Sequence, residues 1–194
     1  MPDHQTSDPG EAFDQHVRTY FAGHEITRER WPVGPMESRI PGFFVYQVGA
    51  GPRFPGWSYL SSGCWRATAQ RGHGLEFVLS TDGADSRHVE VVTIAAFYHV
   101  GQESQRLDIG HTVPIGESWV YPGACDHFLV SLPYTYGPDL EQCSWETGHL
   151  RVLALMPITT AERSYKIENG VEALEQRLED AAIDFSNPLR RSII

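Results

Sequence analysis

One lysine, Lys166, stands in a chain of 194 residues, so no phosphate-binding loop built around a lysine is present. Cysteine is almost as scarce. Cys64, Cys125 and Cys143 are odd in number and show no CxxC spacing. That pattern points to reduced, half-buried thiols, with a Cys125–Cys143 bridge as the lesser alternative. No stretch reaches the ~18 consecutive apolar residues that a bilayer span needs. Met1-Pro2-Asp3-His4-Gln5 has neither the basic nor the apolar region of a secretory signal. A cytoplasmic location without membrane contact is expected. Basic residues are also few, 15 Lys and Arg against 25 Asp and Glu, for a net charge of −10. Such an excess of carboxylates repels phosphate backbones, so no nucleic-acid partner is expected. The same field speeds encounter with a basic protein, although solubility alone also accounts for a charge of this size.

Catalytic signatures are missing as well. Nine histidines form no HxxxH or HExxH pair. The tightest cluster, Cys125-Asp126-His127, lacks a nearby second pair of ligands, so neither zinc nor any cofactor is expected. Gly116-Glu117-Ser118-Trp119-Val120 approaches the G-x-S-x-G nucleophile elbow. Its last glycine is replaced by β-branched Val120, which suits a strand serine beside a core tryptophan better. Gly49-Ala50-Gly51 resembles half a dinucleotide fingerprint, but Pro52 follows and no helix opens there.

What the chain does hold is aromatic. Five Trp, eight Tyr and nine Phe, with 41% hydrophobic and 21% charged residues, supply the buried area a single folded domain requires. Asp8-Pro9-Gly10-Glu11 reads as a helix start with a carboxylate N-cap. Phe13, Val17, Tyr20 and Phe21 then recur at helical spacing, and Gly23 ends the run. Residues 27–42, with Trp31-Pro32 among several Pro and Gly, read as an irregular connector. Strands are expected at 43–48, 57–61 and 75–79, with Asp82-Gly83 as a turn. Residues 86–100 have strand-like propensity, but the length of the apolar run favours a buried helix with Val89, Val92, Ala96 and His99 on one face. His99 is read there as a satisfied core histidine. Further strands are expected at 113–121 and 128–132. Leu150–Met156 is the most central strand, apolar on both faces. Thr159 with Glu162 forms one capping-box pattern and Asn169 with Glu172 resembles a second. Val171, Leu174 and Leu178 then make an apolar stripe that buries on the sheet. A tail follows in which Pro188 prevents helix. Trp57, Tyr59, Phe77, Leu153, Leu155, Leu174 and Leu178 are the expected core.

Four segments in order resemble the Suppressor of fused family. They are the W-x-Y-x-S-x-G strand Trp57-Ser58-Tyr59-Leu60-Ser61-Ser62-Gly63, the glycine-led strand Gly74-Leu75-Glu76-Phe77, the stretch from Gly110-His111-Thr112-Val113 to Leu132-Pro133, and Met156-Pro157-Ile158-Thr159 through Asn169-Gly170 and Leu174 to the Asn187-Pro188 tail. The resemblance covers roughly residues 20–192. It implies an α+β fold: a single domain with a mixed, mostly antiparallel sheet flanked by helices, over 9–194 after a flexible N-terminus at 1–8. It also implies protein binding without catalytic residues, cofactor or metal. Animal members clamp a transcription-factor peptide against a second, C-terminal domain that these residues do not include. Bacterial relatives act as immunity proteins that neutralise toxins, so the implied partner is another protein, a basic toxin. The alternative is a small hydrolase or a sugar- or nucleotide-processing enzyme with a site built on loops.

Two surfaces are candidates for partner binding. Glu168, Glu172, Glu175 and Glu179, spaced 4, 3 and 4, would form one acidic row beside the buried stripe, although a solvated outer face has the same appearance. Tyr134, Tyr136 and Trp145 would offer aromatic anchors, or else pack in the core.

Overall fold

Alternating apolar and polar residues after position 43 produce an antiparallel meander in a computed structural model that describes residues 8–68, 74–101 and 106–194. β1 (Ile26–Glu29), β2 (Phe44–Val48), β3 (Trp57–Ser62) and β4 (Gly74–Thr81) pair in that order. β8 (Gly148–Thr159) then lies parallel to β4, with Gly74 opposite Leu150. The far edge of β8 receives two antiparallel strands, β7 (Gln142–Trp145) along its first half and β6 (Cys125–Ser131) along its second. β5 (Thr112–Pro114) closes that side. One eight-stranded, mixed and mostly antiparallel sheet results, with β8 in its interior.

Side chains two apart share a face, so each strand feeds two cores. Tyr59, Phe77, Phe128, Leu153 and Leu155 face α4 (Ser86–His99) and the short α2 (Met36–Arg39). Length decided α4 correctly: it is buried nearly all round, with Val89, Val92, Ala96 and His99 all inside. Tyr46, Leu60, Val78, Leu150 and Val152 face the other way, under α1 (Pro9–Tyr20) and the one-turn α5 (Pro138–Glu141). On that same second face, Leu129, Met156 and Ile158 lie under α6 (Thr160–Asn169) and α7 (Val171–Asp180). A short α3 (Cys64–Thr68) joins β3 to β4.

Several expectations change. Residues 27–42 hold β1 and α2, because the edge strand needs only one partner and tolerates the flanking turns. Residues 113–121 are not one strand. After Pro114 the chain leaves the ladder at Gly116 (φ +85) and folds over α4. There Arg87 donates to the carbonyls of Ser118 and Trp119, with Ser118 outside any strand and Trp119 fully buried. Asp8 occupies the N-cap of α1 but makes no side-chain cap. Trp57 is only half-buried at the start of β3, whereas the other six expected core residues are buried. The cysteines are fully buried rather than half-buried, and all three are free. Residues 1–7 of the expected flexible start lie outside the described residues.

Candidate functional site

On the second face of the sheet, a groove of about 580 Å³ runs between α7 and the turn that follows β6. Met156, Leu178 and Phe185 give it an apolar lining, and Glu172, Glu175 and Glu179 form one rim. This arrangement follows from local sequence. Leu174 and Leu178, one helical turn apart, bury against Leu129 and Met156, which places the acids beside them at the groove. Ser131, at the end of β6, donates its hydroxyl to Glu175 Oε1 at 2.5 Å and ties the helix to the sheet. Glu172 and Glu179 remain exposed.

The opposite rim is Tyr134, a residue 67% exposed. The N–H groups of Tyr136 and Gly137 both donate to the Pro133 carbonyl at 2.8 Å, closing a turn that projects Tyr134 outward and Tyr136 inward. Gly137 takes φ +73, a conformation that suits glycine at this position. The Tyr136 hydroxyl is shared with Ser58 and Ser80, each at 2.8 Å, and Tyr20 donates to its carbonyl at 2.7 Å. Burial pushes the Tyr136 phenol up to about 12. Below Tyr134 the groove continues into a slot of about 60 Å³ bordered by Val78, Ser80, Ala154 and Met156.

The two surfaces expected separately thus converge, but not completely. Glu172, Glu175, Glu179 and Tyr134 line one groove. Glu168 does not, because Gly170 (φ +93, ψ 163) ends α6 and starts α7, leaving Glu168 on a different helix. Tyr136 is a core residue. Trp145 sits at the β7–β8 hairpin, where it packs on the second core away from the groove. Met156, Ile183 and Phe185 were missed as lining residues. Their only signal was apolar character just past the expected end of the helix and on the central strand.

Apart from Tyr136, the strongly perturbed titratable groups lie elsewhere, in the packed interior. Glu162 is fully buried and accepts two hydrogen bonds from the Arg190 guanidinium, at 2.8 and 2.6 Å. It also accepts from the backbone N–H groups of Thr159 and Ile193. Burial acts to raise the Glu162 carboxyl, but the Arg190 and backbone donors outweigh it and hold the group below its ordinary value. Glu76, equally buried, accepts from Ser61 and from the N–H groups of Gly63 and Trp65; burial prevails there and its carboxyl is raised. His88 accepts from the Trp119 indole at 3.1 Å. His99 accepts from the Leu107 N–H at 2.9 Å, while its Nε2 has no partner among the described residues. Burial lowers both imidazoles to about 4. Asp126 is engaged by His127 at 2.9 Å and by the Thr160 hydroxyl at 2.6 Å, and burial takes the Cys125 thiol up to about 11. Among the described residues no three His, Cys, Asp or Glu side chains come together as metal ligands. No helix there is long and apolar enough to cross a membrane.

Comparison with known proteins matches this fold to one family. The family model described as Suppressor of fused protein matches residues 41–191, well over half of the chain. No curated protein sequence matches. Among solved structures, a Suppressor of fused homolog from Neisseria gonorrhoeae FA 1090 is similar at 30% identity and TM-score 0.81, covering 95% of this chain and 96% of that one. The Sufu–Fu complex matches at 13% identity and TM-score 0.64, over 94% and 91% of the two chains. Drosophila Suppressor of Fused matches at 13% identity and TM-score 0.62, over 92% of this chain and 49% of that one. At that identity the last two establish a shared fold alone.

Proposed function

This chain belongs to the Suppressor of fused family, and from that premise we propose that it is a non-catalytic binding module of the immunity type. In this reading it neutralises a basic toxin by seating part of it in the groove between α7 and Tyr134. The observation that carries the reading is the convergence of three acids, an exposed tyrosine and an apolar lining in one groove. Exposed aromatics beside apolar depressions are the usual anchors of protein interfaces. The net charge of −10 would speed encounter with a basic partner. The relative solved as the Sufu–Fu complex has a protein partner. The enzyme alternative is less well supported. Catalytic clefts gather perturbed titratable groups, whereas Glu76, His88, His99 and Glu162 are interior and held by structural partners.

The test is association with the product of the adjacent gene, followed as a function of salt. Between about 0.01 and 1 M salt the screening length falls from ~30 to ~3 Å, so the on-rate should fall steeply. Glu172→Lys with Glu179→Lys should lower it further at low salt. The fold should persist, since exposed helix substitutions usually change stability by under about 0.5 kcal/mol. An on-rate indifferent to both salt and charge reversal would remove this groove from the interface.

A further inference from the structure

We propose that the groove is a two-point receptor for an arginine-bearing segment of the partner. The guanidinium is received between Tyr134 and the Glu172–Glu179 rim, and a neighbouring apolar side chain enters the slot below Tyr134. This rests on the protein-binding reading above and names the chemistry that is recognised.

The first argument is an unanswered charge. Glu172 and Glu179 stand seven residues, about two turns, apart on α7, with Glu175 between them already engaged by Ser131. Neither Glu172 nor Glu179 takes part in any ion pair among the described residues. Two other polar residues of the same helix are turned to other partners. Arg177 donates to the Tyr165 hydroxyl at 3.0 Å with its guanidinium 4.7 Å from that ring's centre, and Gln176 donates to Asp180.

The second argument is a pattern this chain uses on itself. Arg28 lies over the Tyr46 ring at 5.7 Å while pairing with Asp14 at 2.6 Å. Arg53 lies over the Tyr20 ring at 4.1 Å while reaching Asp139 at 3.5 Å. In both places one guanidinium satisfies an aromatic face and a carboxylate together. Across the groove the tyrosine and the carboxylates are present, and no arginine of the described residues lies between them. A planar guanidinium suits this position better than an ammonium, because it can stack on the ring and fork to a carboxylate at once. The slot of about 60 Å³, walled by Val78, Ala154 and Met156, has room for one small apolar side chain beside that cation.

The experiment uses a randomised heptapeptide library displayed on phage, selected on the full chain and counter-selected on the Glu172→Lys, Glu179→Lys variant. Retained peptides should carry an arginine with an aliphatic residue nearby. On the ¹⁵N-labelled chain their amide-shift footprint should cover 134–136, 156 and 172–185. Replacing the arginine by glutamine should weaken binding at least tenfold, and replacing it by lysine should recover only part of the loss. Tyr134→Ala should weaken the arginine peptide and narrow its margin over the lysine one. Failure to retain any peptide, retained peptides without arginine, or a footprint elsewhere overturns the proposal. The adjacent-gene product is titrated in parallel. If it binds with the expected salt and charge dependence while the peptides fail, only the two-point chemistry is lost. If it does not bind the wild-type chain at all, the immunity reading itself fails.

Discussion

Glu162 caps a helix and anchors the C-terminal tail with the same carboxylate. As the third residue of α6 it completes a capping box with Thr159, and its two oxygens also receive Arg190 and the Ile193 N–H. Both side chains of the ion pair are almost wholly removed from water, at 0% and 4% exposure. Removing one partner therefore strands a buried charge, a loss of about 3–5 kcal/mol. Arg190→Ala should lower the unfolding free energy by that amount in urea titrations, well beyond the effect of Arg191→Ala on the exposed neighbour. Half of this centre was legible in the sequence. Thr159 and Glu162 are three residues apart, and a capping box is a local pattern. Arg190 lies 28 residues further on, and nothing local marks it as the partner.

At the scale of elements, the informative pair is α6 and α7. The sequence offered two capping patterns, and only the first forms. Asn169 turns back to the Tyr165 carbonyl instead of capping α7, and Gly170 takes the N-cap in a backbone region open almost only to glycine. Gly170→Ala should cost on the order of 1–3 kcal/mol, read as a lower thermal midpoint, because any Cβ at φ +93, ψ 163 is strained. Leu174→Ala should cost about 2–5 kcal/mol by chemical denaturation, since Leu174 is fully buried against Leu129 and Met156. The same break explains why a row of four acids became three. A periodicity argument assumes one continuous helix, and Gly170 interrupts it between Glu168 and Glu172.

For the molecule as a whole, buried titrations set how stability depends on pH. His88 and His99, lowered to about 4 by burial, stay neutral in the fold while the unfolded chain takes up protons near 6.5. Their contribution is complete above pH 6.5 and declines between 6.5 and about 4, by up to about 1.4 kcal/mol per pH unit for each histidine. Glu162, held below its ordinary value, adds a second decline as pH falls below the usual carboxylate range. Glu76, raised by burial, works in the opposite direction: its contribution is greatest at low pH and shrinks as pH rises through its raised value. Guanidinium midpoints measured from pH 4 to 8 should therefore rise towards neutrality. His88→Asn, which retains an acceptor for Trp119, should flatten that slope without abolishing it.

Local sequence patterns already specify the α+β class, the strands from position 43 onward, the buried helix at 86–99, the first capping box, the apolar stripe of α7 and the family. Each is written in periodicity, caps, turn residues or short motifs, whose causes act over a few positions along the chain. The sequence also marked Tyr134, Glu172, Glu175 and Glu179 as candidates without showing that they belong together. Their convergence comes from long-range packing. The groove exists because β8 carries Met156 between two groups of helices, with the 133–137 turn on one side and α7 on the other. The same packing placed Tyr136 in the core, Trp145 at a distant hairpin and Glu168 on another helix. A surface assembled from residues 134, 156 and 172–185 depends on how distant elements pack, and short-range periodicity carries no record of that.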